Sequence, residues 1–188
     1  MQINISTNFP QVARQLAALQ QDIGNKAVAS ALNKTVAQAK TAMSREIRAE
    51  FNLPASTVNQ ALRIQRASAS RGRFQLSAAL ESPAKRGRSL NLARFAARQT
   101  RKGVTFKVKR NGPRQLIPGS FLINGGKTVM IREGKARLPI KALQTIDVAQ
   151  MFNTRRINAK VVQLIEARFP GIFANDVRFF TAKFNATR

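Results

Sequence analysis

The clearest alternation of apolar and polar positions runs from Gly103 to Ile140. Val104, Phe106 and Val108 alternate with Thr105, Lys107 and Lys109, which predicts a strand with one apolar and one cationic face. Asn111-Gly112-Pro113 ends that run as a turn. A second apolar run, Leu116 to Ile123, contains Pro118-Gly119, which predicts a bulge or kink in place of a straight central strand. Gly125-Gly126 supplies a tight hairpin connection, Val129 and Ile131 the next strand, and Arg132 to Arg137 a charged turn. The stretch reads as an antiparallel meander with one buried face and one basic face.

Before it the period is helical. Phe9, Val12, Leu16, Leu19 and Ile23 fall at helix spacing, with Asn8 as a candidate cap ahead of Pro10. Gly24-Asn25 then interrupts: either Asn25 caps a second helix, or the two form one bent helix. Val28, Leu32, Val36, Ala39, Met43, Ile47 and Phe51 make the apolar stripe of the second helix, opposite Lys26, Lys34, Lys40, Arg45 and Arg48. Its many alanines favour helix and allow a neighbouring backbone to come close. So long a stripe exceeds what one small sheet covers, and part of it is expected to pack on a second subunit.

Leu53-Pro54 ends the helix, and Ser56 and Thr57 start a short one through Leu62. Arg63 to Ala69 reads as a strand with Ile64 inward, and Phe74, Leu76, Ala78 and Leu80 mark another. Ser82 to Arg88 has loop composition, and Leu90 and Leu92 suggest a short strand. After Pro139 the helical period returns from Val148 through Ile157, Val161, Leu164 and Ile165, with Phe169-Pro170-Gly171 as a stop. Phe173, Val177, Phe180 and Phe184 form a last amphipathic segment, which either docks on the chain's own core or inserts into a neighbouring subunit. The fold class is therefore α+β, an antiparallel sheet flanked by a long N-terminal helix or bent helix pair and by C-terminal helices. We expect one domain, with a helical arm over 1–53, a β-rich core over 54–145 and helices over 146–188.

Charge changes the picture more than size does. The 188 residues carry 33 Lys and Arg against 8 Asp and Glu, a net +25, spread over every section of the chain. Such an excess speaks of partners: nucleic acid, an anionic membrane, or an acidic protein surface. No stretch approaches the ~20 apolar residues of a membrane span, so a membrane is not expected. Met1 to Asn8 lacks the layout of a signal peptide, and the absence of cysteine suits synthesis in a reducing cytoplasm.

The chemistry of catalysis is thin. There is no histidine, cysteine, tyrosine or tryptophan, which removes the usual general base, the thiol nucleophile and common transition-metal ligands. Glu46 and Glu50 stand at i, i+4 but flank Arg45 and Arg48, and helix-face ion pairs account for them. Ser44, Ser56 and Ser120 have no base to activate them. An enzyme is not expected, nor a cofactor or metal. Lys85, Arg86, Arg88, Arg98, Arg101, Lys102, Lys107, Lys109, Arg110 and Arg114 are candidate contacts to DNA or an acidic partner. With Phe95 and Phe106 both in buried positions, any nucleic-acid contact would be backbone-directed and indifferent to sequence. Val28, Leu32, Val36, Met43, Ile47, Phe180 and Phe184 are the candidate subunit interface.

Four segments in order, ALNKTVAQAKTAMSREIRAEFNLP, LARFAARQTRKGVTFKVKR, LIPGSFLINGGKTVMIREGKARLPIKAL and VAQMFN, resemble the prophage minor tail protein Z family, the tail completion proteins of long-tailed phages. The resemblance covers nearly the whole chain and is most specific over Ala31 to Pro54 and Gly103 to Leu143. It implies a virion component at the head-proximal end of the tail, made in the host cytoplasm and acting before or at head joining. It further implies a ring around the DNA path, commonly six-fold, whose partners are other tail and head–tail connector proteins. The alternative is a free, sequence-independent nucleic-acid-binding protein. The motifs carry no catalytic residues; Phe121 is expected in the core, Arg132 and Gly134 at a hairpin, and Leu138-Pro139-Ile140 sealing a sheet edge.

Overall fold

A computed structural model describes residues 2–5, 21–70, 73–83 and 89–186. In chain order it contains β1 (Gln2–Ile5), α1 (Gln21–Glu50), α2 (Ala55–Ala61), β2 (Arg63–Gln65), β3 (Ser68–Ser70), β4 (Arg73–Gln75) and β5 (Ala78–Glu81). A single 3-10 turn, Leu92–Arg94, precedes β6 (Arg98–Thr100), β7 (Gly103–Phe106), β8 (Gln115–Pro118), β9 (Ser120–Ile123), β10 (Thr128–Arg132) and β11 (Ile140–Ala142). Helices α3 (Val148–Phe152) and α4 (Arg155–Ala186) close the sequence. The class is α+β, with every strand pairing antiparallel. The chain divides into two compact units, which are not consecutive segments: one takes 1–43, 62–82 and 155–188, the other 44–61 and 83–154.

The first unit joins most of α1 to α4 and to the sheet β1-β5-β2, with β3-β4 as a separate hairpin. Helix α1 runs through Gly24 and Asn25 without a break, so the expected interruption is absent. Val28, Leu32, Val36 and Met43 have no exposed surface, and neither do Ala27, Ala31 and Ala39 beside them. The expected helix over Phe9 to Ile23 lies outside the described residues apart from its last turn, which belongs to α1. Asn33 grips the backbone of Ala67 with both ends of its amide, donating to the carbonyl and accepting from the N–H at 2.9 Å each. It thus replaces a strand partner where β2 gives way to β3.

Helix α4 overrides its own breaker. Phe169-Pro170-Gly171 was expected to stop it, yet the helix continues for fifteen residues past Gly171, to Ala186. Proline and glycine inside a helix cost about 3 and 1 kcal/mol against alanine. Ile165, Phe169 and Phe173 are buried on the stripe that crosses this point, and the two phenylalanine rings stack at 6.1 Å. Burial of side chains that size contributes about 1.5–3 kcal/mol each, enough to offset the breaker. Lys34 on α1 donates to the Asp176 carboxylate on α4; Asp176 itself is 3% exposed. The alternation read from Phe74 to Leu80 as one strand is two, β4 and β5, in different sheets. Ala78, Ala79 and Leu80 are all buried, so β5 is covered on both faces.

The second unit is built on two three-stranded sheets, β6-β7-β8 and β11-β10-β9. Leu92, Val104, Phe106 and Val129 form its core, with Val108, Ile117, Leu122 and Leu143 packed around them. The apolar run from Leu116 to Ile123 serves both sheets, because Gly119, at φ +70°, turns the chain from β8 into β9. Ser120 repairs the ladder at that corner: its buried Oγ accepts the Val104 N–H at 2.9 Å and donates to the Ile117 carbonyl. Leu90 and Leu92 do not form a strand. Asn91 caps the 3-10 turn and bonds both the N–H and the carbonyl of Val129, docking the turn on β10. At the C-terminus of α1 the Glu50 carbonyl accepts the Arg110 N–H at 2.8 Å, which satisfies one of the orphan acceptors of a helix end.

Two expectations about this unit fail. Phe121 is only half-buried, and its ring lies under the Arg132 guanidinium, 4.8 Å from the centroid. Side chains alternate across a strand, and β9 turns Leu122 to the core, so Phe121 points away from it. Leu138 does not seal an edge, being 67% exposed at the end of the charged turn. Helix α3 starts as its sequence directs: Asp147 and Gln150 form a reciprocal capping box.

Candidate functional site

The described candidate cations of the second unit lie on one small sheet and its turns. Arg101 and Lys102 occupy the β6–β7 turn and are exposed. Lys107, Lys109, Arg110 and Arg114 lie on the β7–β8 connection at the opposite end; all but the half-buried Lys107 are exposed. The two groups are separated by the length of β7, about 10 Å at ~3.4 Å per residue. Arg98 stands between them on β6. Lys85, Arg86 and Arg88 lie outside the described residues. Counted over its sequence, this unit holds eighteen Lys and Arg against four Asp and Glu, a net +14 of the chain's +25.

Arg114 is more than a surface charge. Its Nη1 donates to the Ala96 carbonyl at 2.9 Å and lies 3.3 Å from the Thr105 Oγ1. A guanidinium fixed this way loses the freedom of a surface side chain.

The proposed interface residues divide into two kinds. Val28, Leu32, Val36, Met43 and Ile47 are buried within the chain, so the stripe is covered without a second subunit. Phe180 and Phe184 are half-buried on the last turns of α4, beside Phe179, which is 60% exposed and meets Phe180 edge-on at 5.2 Å. Sequence reasoning passed over Phe179 because it falls off the apolar stripe, and passed over Leu116, 42% exposed, because it reads as part of a core run.

Glu46 lies 3.9 Å from the Arg45 Nε, and among the described residues no three of His, Cys, Asp and Glu come together as a metal site. Among them too, no helix is long and apolar enough to cross a membrane. What the geometry defines is a structural module: an apolar interior in each unit, and exposed cations on short strands and turns. The chain belongs to the prophage minor tail protein Z (GPZ) family, whose model matches residues 9–181. It is accordingly a structural protein of the phage tail. Neither a search of curated proteins nor one of solved structures returns a significant match.

Proposed function

We propose that this minor tail protein completes the tail at its head-proximal end and takes part in head–tail joining, as one subunit of a ring around the DNA path. The chain works by docking and turns over no substrate. Its cations meet acidic surfaces of neighbouring tail and connector proteins, and contact with phage DNA is secondary. The observation that carries the reading is the amount of charge within a family of tail structural proteins. A six-fold ring of chains at +25 each would carry six times that, +150. Duplex DNA offers about one charge per 1.7 Å, so a ring ~40 Å tall meets only about 24 phosphates. Most of the charge must find another counterpart.

With the α1 stripe buried inside the chain, the surfaces left for contact between ring subunits are elsewhere, and Phe179, Phe180 and Phe184 on α4 are the aromatic candidates. Cryo-electron microscopy of tails before and after head joining tests the placement. A density ring at the head-proximal end that is missing from tails lacking this chain is expected. The chain at the distal tip, or absent from purified tails, refutes the proposal.

A further inference from the structure

The outward face of the β6-β7-β8 sheet follows from its register. Val104 opposes Ile117, and both turn toward the core. The next row, Arg98–Thr105–Leu116, therefore faces the other way. Leu116 is 42% exposed on an edge strand, about 10 Å from Arg98 across two strand spacings. The pinned guanidinium of Arg114 lies against Thr105 in the middle of the row. Cations close both ends of the sheet, and from Ser82 to Arg132 the sequence holds thirteen Lys and Arg and no Asp or Glu.

We propose that this row docks a protein segment presenting an apolar side chain flanked by carboxylates, the apolar group seated on Leu116 and the carboxylates meeting Arg98, Arg114 and the cations at the sheet ends. The proposal rests on the reading of the charge as a grip on acidic neighbours and names the face that does the gripping. An exposed leucine ringed by cations repeats the layout of a protein interface, an apolar centre with a polar rim. A phosphate backbone would use the cations and gain nothing from Leu116. The row carries no aromatic ring on which a base could stack, since Phe95 and Phe106 are buried. A second copy of the chain, itself at +25 with only 8 Asp and Glu, has few carboxylates to offer this face.

The test uses the full chain and two short fluorescent peptides of equal negative charge, one with a central leucine among glutamates and one with serine in its place. Binding is read by anisotropy, with a duplex DNA oligomer as competitor. The leucine peptide is expected to bind about tenfold more tightly than the serine peptide, the effect of one good anchor. Leu116→Ser removes that preference, and Leu116→Thr, which suits an edge strand, does the same if the serine variant melts early. Arg98→Gln weakens both peptides alike. Equal affinity of the wild type for the two peptides, or a preference that survives at position 116, overturns the proposal; so does displacement of the leucine peptide by duplex DNA at equal charge concentration. Incorporation into tails separates this from the wider reading. Wild-type chain missing from tails sinks the tail-completion reading, whereas Leu116→Ser chain entering tails as readily as wild type sinks the docking face alone.

Discussion

Replacing Gly103 with alanine tests how closely β7 approaches β8. Gly103 has φ +150°, and a Cβ there would stand 2.1 Å from the Ile117 carbonyl oxygen and 3.0 Å from the Pro118 Cα. Both are backbone atoms, so no side chain can swing aside. The backbone conformation alone costs an L residue about 1–3 kcal/mol. Relieving the clash means drawing β8 away, and with it one or two ladder hydrogen bonds at about 1 kcal/mol each. The expected loss is about 2–5 kcal/mol, a large part of the ~5–15 kcal/mol that holds a domain. The chain has no tryptophan or tyrosine, so unfolding in urea is followed by far-ultraviolet circular dichroism. At a slope of about 2 kcal/mol per molar urea, the transition of the second unit moves down by about 1–2.5 M. Gly134→Ala is the control, because a Cβ there meets nothing within 4 Å and its φ is ordinary; it should shift stability by less than about 0.5 kcal/mol. Equal midpoints for the two variants would refute the close approach.

Other substitutions probe the first unit. Pro170→Ala should raise the melting temperature, by up to about 3 kcal/mol of stability, because α4 is helical through that position; a lower melting temperature would mean that a kink there is needed. Lys34→Ala strips the buried Asp176 of its cation and should cost about 1–3 kcal/mol. The same change in an Asp176→Asn background should cost less, and a double-mutant cycle with no coupling would dismiss the pair. Leu32→Asp buries a charge at a position with no exposed surface, so the chain should fail to fold when expressed alone; a folded variant that merely fails to enter tails would restore the stripe as a subunit interface.

What the sequence made legible was whatever is periodic and local. The α1 stripe and the alternation at Val104 and Phe106 each carry their signal within a few residues; the capping pair Asp147/Gln150 is as local, yet sequence reasoning passed over it. Pro118-Gly119 announced a kink, but that the kink moves the chain between sheets depends on partners far away in sequence. Leu116 and Ile117 are equally apolar neighbours; only the pairing of Ile117 with Val104 decides which faces inward. Pro170 is a local stop signal, and the burial of Phe169 and Phe173 that overrides it depends on contacts far away in sequence. Lys34 and Asp176 are separated by 142 positions and have no local mark of their partnership. The candidate cations were legible as charges, but not the pinning of Arg114, which needs Ala96 and Thr105 brought beside it.

The interior of this protein makes little use of its charge. Both cores are apolar, and among the described residues Asp176 is the buried carboxylate, bonded by Lys34. The excess of cations therefore weighs against the isolated chain, since like charges such as Arg101–Lys102 and Lys109–Arg110 lie well within a Debye length of ~8 Å. An acidic surface relieves that repulsion, but it does so for an unfolded chain too, which carries the same cations. Preference for the folded form requires something an unfolded chain cannot present: charges at fixed separation around an apolar contact. The sheet β6-β7-β8 supplies this, with cations at both ends, one guanidinium locked by backbone carbonyls, and Leu116 exposed among them. A partner reading that arrangement at free concentration c stabilises the native state by RT ln(1 + c/Kd), about 2.7 kcal/mol at a hundred times its Kd. On the proposed docking, fold and assembly are coupled through geometry, with charge setting the rate of encounter.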